Sequence, residues 1–382
     1  MKDWRRPRPA ILRRQRILRG ATNTENASLD GRPQSIWCDN DYLGLSRDPR
    51  VCEAMASAAK RYGAGAGASP LITGHTEIHQ LLEERLAAFT GRDRALVFSA
   101  GYLTNLGTVQ ALAERGDTLI EDRLNHASLL DAARLSRARC LRYRHADAAD
   151  AARLLQEHQA RLILTDGVFS MDGDTAPVSE LAAAARAHDA LLLCDDAHGI
   201  GVLGAHGGGL LEEAGLSQVE VPLLVGTLGK ALGAQGGFVA GPADLIEHLL
   251  QYARSYGYST ALAPPLAAAA DQALKLLIDE PEYRARLRDN IEYFLQCAKQ
   301  HELPLQPSRT AIQPLILDDP ESALAASRSL SEQSFAVCAI RPPTVPEGTS
   351  RLRITLSARH TREQIERFSE ALAACCPAKL EV

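Results

Sequence analysis

The chain has no apolar stretch long enough to span a bilayer, which argues against an integral membrane protein. It has no C-x-x-C pair. The eight cysteines, Cys38, Cys52, Cys140, Cys194, Cys297, Cys338, Cys375 and Cys376, are not spaced as a zinc site. Their scatter through apolar segments suits a reduced, cytoplasmic protein. There is no overall excess of positive charge: the formal net charge is −5 and the pI about 6.1, which disfavours a nucleic-acid binder. Internal repeats and low-complexity segments are absent. The N-terminus lacks the apolar core of a secretory signal.

What is present is length and apolar content. The 382 residues, 46% of them hydrophobic, suffice for a large core divided among two or three subdomains. Three regions are expected: a basic N-terminal segment over 1–45, a large domain over 46–265 and a smaller one over 266–382. Eight of the first twenty residues are Lys or Arg, against the single acid Asp3. They read as a basic surface helix, as a transit peptide, or as arginines facing an anionic substrate or partner.

From about residue 50 to 260, helical patterns alternate with short apolar runs. Helices are expected over Val51–Tyr62, His79–Thr90, Tyr102–Ala113 and Ser128–Ser136, strands over Ala95–Phe98, Thr118–Ile120, Arg161–Thr165, Leu191–Cys194 and Leu223–Val225. The runs are continuous rather than alternating, so both faces of each strand are covered. That indicates an α/β domain with a mostly parallel sheet. After Pro264-Pro265 a long helical stretch, Leu266 to Cys297, precedes strand candidates at Ile312–Ile316, Ala336–Ile340 and Arg351–Leu356, a smaller α+β domain.

Two glycine-rich stretches invite misreading. Gly63-Ala-Gly65-Ala-Gly67 follows a helix rather than a strand, so the context of a dinucleotide site is missing. Gly226-Thr-Leu-Gly229-Lys230-Ala231 has glycines too close together for a Walker loop, and Ala231 stands where Ser or Thr would hold magnesium.

A different chemistry accounts for Lys230. Ala190-Leu-Leu-Leu-Cys-Asp195-Asp-Ala-His198-Gly and Leu223-Leu-Val-Gly-Thr-Leu-Gly-Lys230 are buried runs that end in an Asp, a His and a Lys. This set suits pyridoxal phosphate: a lysine amine condenses with its aldehyde, and a carboxylate keeps the pyridine nitrogen protonated. Asp195 is the carboxylate candidate, and burial of an unpaired Asp at a strand end favours such a partner. The phosphate needs N–H groups at a helix start, for which Gly101 and Asn105 in Ser99-Ala-Gly101-Tyr102-Leu-Thr-Asn105 are candidates. His126 is placed to stack on the ring. His198 and Ser170 are donors for its oxygen, and Thr227 can reach the phosphate. Each of these residues alone is an ordinary turn, strand-end or core residue; their order on consecutive strand ends carries the argument. A metal site at Asp195, Asp196 and His198 would have no obvious third protein ligand and would leave Lys230 without a role.

Asp195-Asp-Ala-His198-Gly, Gly226-Thr-Leu-Gly-Lys230-Ala-Leu-Gly and Asp122-Arg-Leu-Asn-His126-Ala-Ser-Leu-Leu-Asp resemble the α-oxoamine synthases, pyridoxal-phosphate enzymes of the aspartate-aminotransferase fold (fold type I). The resemblance extends from Asn40-Asp-Tyr-Leu-Gly-Leu to Arg353. These acyltransferases condense an amino acid with an acyl thioester and release carbon dioxide. Ala339-Ile-Arg-Pro-Pro-Thr344-Val-Pro-Glu-Gly-Thr-Ser-Arg-Leu-Arg353 resembles the branch that serves biotin biosynthesis. It implies L-alanine and a pimeloyl thioester, carried by coenzyme A or an acyl carrier protein, as substrates; a sister activity would use glycine or serine. The resemblance further implies Lys230, His126 and Asp195 as catalytic residues and Gly101, Tyr102, Asn105, Ser170, His198 and Thr227 at the cofactor. Ser259 and Thr260 would reach the phosphate of the other subunit in a homodimer. Arg353 would clamp the amino-acid carboxylate, Thr344 would meet the acyl substrate, and Arg13 would contact substrate from the N-terminal segment. An aminotransferase on the same fold, needing no thioester, and a cofactor-free acyl-carrier-binding protein are the competing readings.

Overall fold

The structure, a computed structural model, describes residues 15–20 and 27–376. Arg13 lies outside the described residues. The backbone divides into two compact units. The larger comprises Asp41–Ser170 and Asp174–Ala285. The smaller comprises Met171–Gly173 and the described residues up to Asn40 and from Arg286 to Cys376.

The larger unit is built on a seven-stranded sheet. Its strands are β1 (Arg94–Phe98), β2 (Thr118–Asp122), β3 (Arg139–Tyr143), β4 (Leu162–Asp166), β5 (Leu191–Asp195), β6 (Leu223–Thr227) and β7 (Gly237–Gly241). Their spatial order is β1-β7-β6-β5-β4-β2-β3. All pairings from β6 through β3 are parallel; β7 runs antiparallel to both its neighbours. Leu162, Leu164, Leu193, Leu223 and Val225 are fully buried in the main core, beside Val109, Leu129 and Ala132 of two helices. Runs of Leu and Val with no polar alternation thus form strands covered on both faces, the expected mostly parallel α/β sheet.

The helices of this unit include α1 (Pro49–Tyr62), α2 (Glu77–Thr90), α3 (Gly101–Leu112) and α4 (Ala127–Ser136). Gly63 ends α1 with φ 84°. The long helical stretch expected after Pro265 is two helices, Pro264–Asp279 and Glu282–Gln300. Pro281 explains the break, because it lacks an N–H and pushes the preceding residue out of helical conformation; Glu280 has φ −125° and ψ 79°. The compact division falls between Ala285 and Arg286, so Pro264–Asp279 belongs to the larger unit.

The smaller unit carries an antiparallel sheet of Ile312–Asp318, Ser350–Thr355 and Cys338–Ile340, with Ser350–Thr355 in the centre. Trp37 is fully buried there, stacked on His360 at 3.9 Å and on Phe368 at 4.0 Å between ring centroids. No helix among the described residues is long and apolar enough to cross a membrane.

Candidate active site

In an open parallel sheet the carboxyl ends of the strands are where loops converge on ligands. Here β4, β5 and β6 end side by side: Asp166 is in register with Asp195, and Asp195 with Val225. Their ends border a cavity of about 180 Å³. From β5 and its following turn come Asp195, Ala197 and His198; from β6 and its loop come Gly226, Thr227 and Lys230. The start of α3 supplies Gly101, Tyr102 and Asn105, and the entry to α4 supplies His126 and Ser128. Asp166, Val168, Ser170 and Val225 complete the wall.

Asp195 is buried and each of its oxygens accepts a hydrogen bond. Asn105 Nδ2 donates to Oδ2 at 2.6 Å and the Ala197 N–H to Oδ1 at 3.1 Å. Asn105, expected as a donor near the phosphate, instead directs its amide hydrogens to Asp195 and to Ser128 Oγ at 2.8 Å. The second carboxyl, Asp166, belongs to none of the motifs read from the sequence. It accepts the His126 N–H at 2.9 Å through Oδ2, while Oδ1 is buried without a partner. Burial first, and then the adjacent Asp195 charge, push its pKa well above the ordinary carboxyl value.

His126 caps α4 and stands at the cavity rim, open to solvent on one side. Crowding on its inner side dominates, and desolvation holds its pKa below the usual histidine value. Tyr102 meets its ring edge-on, with centroids 6.4 Å apart, and the Tyr102 hydroxyl donates to Asp131. His198 is buried with Nδ1 2.7 Å from the hydroxyl of Tyr42, a fully buried residue of the Asn40-Asp-Tyr-Leu-Gly-Leu segment.

The helix start is open to an anion. Ala100 precedes α3 and offers no capping side chain, so the first N–H groups of the helix lack a side-chain acceptor. Thr227 Oγ1 would lie 3.6 Å from a β-carbon placed on Gly101, which sets it at the same end of the cavity. Gly237 of β7 makes this approach possible: a β-carbon there would come within 2.5 Å of both Gly101 Cα and Thr104 Oγ1.

Nine expected residues, Gly101, Tyr102, Asn105, His126, Ser170, Asp195, His198, Thr227 and Lys230, therefore line one cavity. Ser259 and Thr260 belong to the larger unit but not to this lining; Ser259 is half-buried and Thr260 exposed. Thr344 and Arg353 belong to the smaller unit. Thr344 is exposed; Arg353 is buried on the central strand, and its Nη2 donates to Asn40 Oδ1 at 3.3 Å. Asp196 does not join Asp195 and His198 as a ligand set. It is fully buried, accepts the Leu210 N–H at 2.5 Å, and has its pKa raised to about 8 by burial. No group of potential metal ligands exists among the described residues.

The donor set fits pyridoxal phosphate. An uncapped helix start with Thr227 beside it matches the phosphate, a carboxylate matches the ring nitrogen, imidazole and hydroxyl donors match the ring oxygen, and a lysine matches the aldehyde.

Comparison with known proteins agrees. Residues 32–372 match the family model for aminotransferase class I and II. The 8-amino-7-oxononanoate synthase of Methylococcus capsulatus is 55% identical over 365 residues, covering 95% of this chain and 94% of that protein. The one from Alkalilimnicola ehrlichii is 53% identical over 364 residues, covering 95% and 93%. A serine palmitoyltransferase from S. paucimobilis, solved with PLP and myriocin bound, is 31% identical with a TM-score of 0.90, covering 94% of this chain and 92% of that one. The chain belongs to the class I and II aminotransferase family of pyridoxal-phosphate enzymes, on the branch of the 8-amino-7-oxononanoate synthases.

Proposed function

We propose that this chain is a pyridoxal-phosphate-dependent acyltransferase that condenses L-alanine with a pimeloyl thioester. Carbon dioxide and the free thiol leave, and 8-amino-7-oxononanoate, an intermediate of biotin biosynthesis, is formed. The observation that carries the reading is the meeting of Lys230, Asp195, His126 and His198 on one cavity at the ends of β4, β5 and β6.

Bound pyridoxal phosphate supplies an electron sink for the carbanion that forms at alanine Cα. The chain's residues do the rest. Asp195, held in place by Asn105 and the Ala197 N–H, would accept the pyridine N–H and keep that nitrogen protonated. The N–H groups at the start of α3, at Gly101 and Tyr102, together with Thr227, would bind the phosphate. His198 and Ser170 would donate to the ring oxygen. Lys230 would hold the cofactor through its amine, and the same amine, when free, would take the proton from alanine Cα and return it at the end. The acyl group would pass from the thioester to alanine Cα, and the thiol would leave. His126, on the lining of the same cavity, would hydrogen-bond the keto oxygen formed by acyl transfer as carbon dioxide is lost.

Arg353 binds the alanine carboxylate, for which a planar guanidinium is suited. Thr344 and Arg13 serve the acyl substrate. Ser259 and Thr260 act on the phosphate of a partner subunit in a homodimer. The enzyme works in the cytoplasm, on pimeloyl groups carried by coenzyme A or an acyl carrier protein.

Competition between amino acids tests the reading. Purified holoenzyme is given pimeloyl-coenzyme A with equal L-alanine, glycine and L-serine, and products are identified by mass. The alanine product should dominate. A dominant glycine or serine product would assign the chain to a sister activity.

A further inference from the structure

The hydrogen bonds around His126 determine where its proton sits. Asn105 Nδ2 carries two hydrogens, directed to Asp195 Oδ2 at 2.6 Å and to Ser128 Oγ at 2.8 Å. The opposite amide orientation would set Asn105 Oδ1 against a carboxylate oxygen, two acceptors facing each other. Ser128 Oγ is thus an acceptor from Asn105 and has a single hydrogen of its own to place. Its remaining partner is His126 Nδ1, at 2.7 Å. The backbone N–H of Ser128 donates to the same nitrogen at 3.3 Å, which makes the imidazole the cap of α4. Two donors converge on Nδ1, so Nδ1 must offer its lone pair. Ser128 is fully buried.

We propose that Ser128 is a positioning residue for His126: the chain Asp195–Asn105–Ser128–His126 fixes the imidazole as the tautomer with its only proton on Nε2. A ring nitrogen's state is set by the hydrogen bond its neighbour makes. The consequence for the reaction rests on the function proposed above. His126 meets substrate as a neutral N–H donor, suited to a keto oxygen, and the same chain ties its orientation to the carboxylate at the pyridine nitrogen. Protonation of Nδ1 would break both donors' contacts, so Ser128 also opposes formation of imidazolium. The charged and titratable groups that face this ring are Asp195, which favours imidazolium, Lys230, which opposes it, and the neighbouring Asp166 and Tyr102.

The test is nitrogen NMR on holoenzyme labelled with ¹⁵N in its histidine rings, with His126→Gln identifying the resonances. At neutral pH the wild-type ring should show an unprotonated Nδ1 and a protonated Nε2. Ser128→Ala should populate both tautomers and raise the ring's titration midpoint. Its kcat should fall about ten-fold, the rate equivalent of one hydrogen bond, with little change in the KM for alanine. Ser128→Thr, which keeps the hydroxyl, should restore the single tautomer and most of kcat. A wild-type ring protonated at Nδ1 would overturn the proposal, as would a Ser128→Ala spectrum and kcat equal to wild type. Should Ser128→Ala fail to fold, the wild-type spectrum and Ser128→Thr still decide. The tautomer is read without substrate, so an error in the assigned reaction would not alter that result.

Discussion

His145 links β2 to the turn that carries Ser170, and its protonation should be felt in stability. Its Nδ1 lies 3.1 Å from Asp122 Oδ1 and its Nε2 2.9 Å from Asp174 Oδ2. The ring packs edge-on against Phe169, with centroids 4.4 Å apart. Asp174 closes the turn by accepting the Phe169 N–H on its carbonyl at 3.0 Å. Burial by itself would lower the histidine pKa, but the hydrogen bonds and charges of Asp122 and Asp174 outweigh it and raise the value to about 10. A folded pKa above the unfolded one means the contribution is complete below about pH 6.5 and disappears as pH climbs toward 10. A shift of this size corresponds to several kcal/mol. Partial solvation of the side chain discounts it to about 2 kcal/mol. Urea unfolding of wild type and His145→Gln at pH 7 and pH 10.5 reads this out. Wild type should lose about 2 kcal/mol more than the variant between the two, because other titrating groups cancel in the comparison. Equal pH dependence in the two proteins would show that the Asp122–His145–Asp174 contacts add no stability.

Three more outcomes are expected at the cavity. Lys230→Ala should bind cofactor without covalent fixation by borohydride and should lose turnover, which peptide mass mapping and product assay will show. Asp195→Asn keeps the shape and the Asn105 contact region but removes the charge, so alanine α-proton exchange should drop on the order of a hundred-fold while the circular dichroism spectrum survives. Gly237→Ala puts a methyl group within 2.5 Å of Gly101 Cα, so it should cost about 1–3 kcal/mol and weaken cofactor binding measured by fluorescence titration.

Most of the larger unit is legible in the sequence because its strands are uninterrupted apolar runs. Two strands are not. β3, Arg139-Cys-Leu-Arg-Tyr143, is an edge strand with exposed arginines, so it lacks the continuous apolar signal. β7, Gly237-Phe-Val-Ala-Gly241, is flanked by glycines that read as loop, although Gly237 is there to clear the start of α3. The break at Pro281 is marked by the proline itself, but strong helical patterns on both sides obscure it.

The site divides in the same way. Residues at strand ends and in the glycine-flanked lysine loop are identifiable because the chemistry of Asp, His and Lys is rare in such places. Ser128 and Asp166 escape sequence reasoning. Ser128 looks like any first-turn helix residue, and its role exists only through contacts with Asn105 and His126, distant or unremarkable in sequence. Asp166 stands at a strand end like Asp195, but no motif distinguishes it until the register places the two side by side. His145 likewise acquires its partners only when β2 and the Ser170 turn come together.

The proposed reaction is a condensation with loss of the amino acid's carboxyl carbon, carried out in the Lys230 cavity. Holoenzyme incubated with pimeloyl-coenzyme A and L-alanine labelled with ¹³C at the carboxyl carbon tests it directly by mass spectrometry. Labelled carbon dioxide and unlabelled 8-amino-7-oxononanoate should form in equal amounts. Label retained in an amino-ketone product, or labelled pyruvate from transamination, would contradict it.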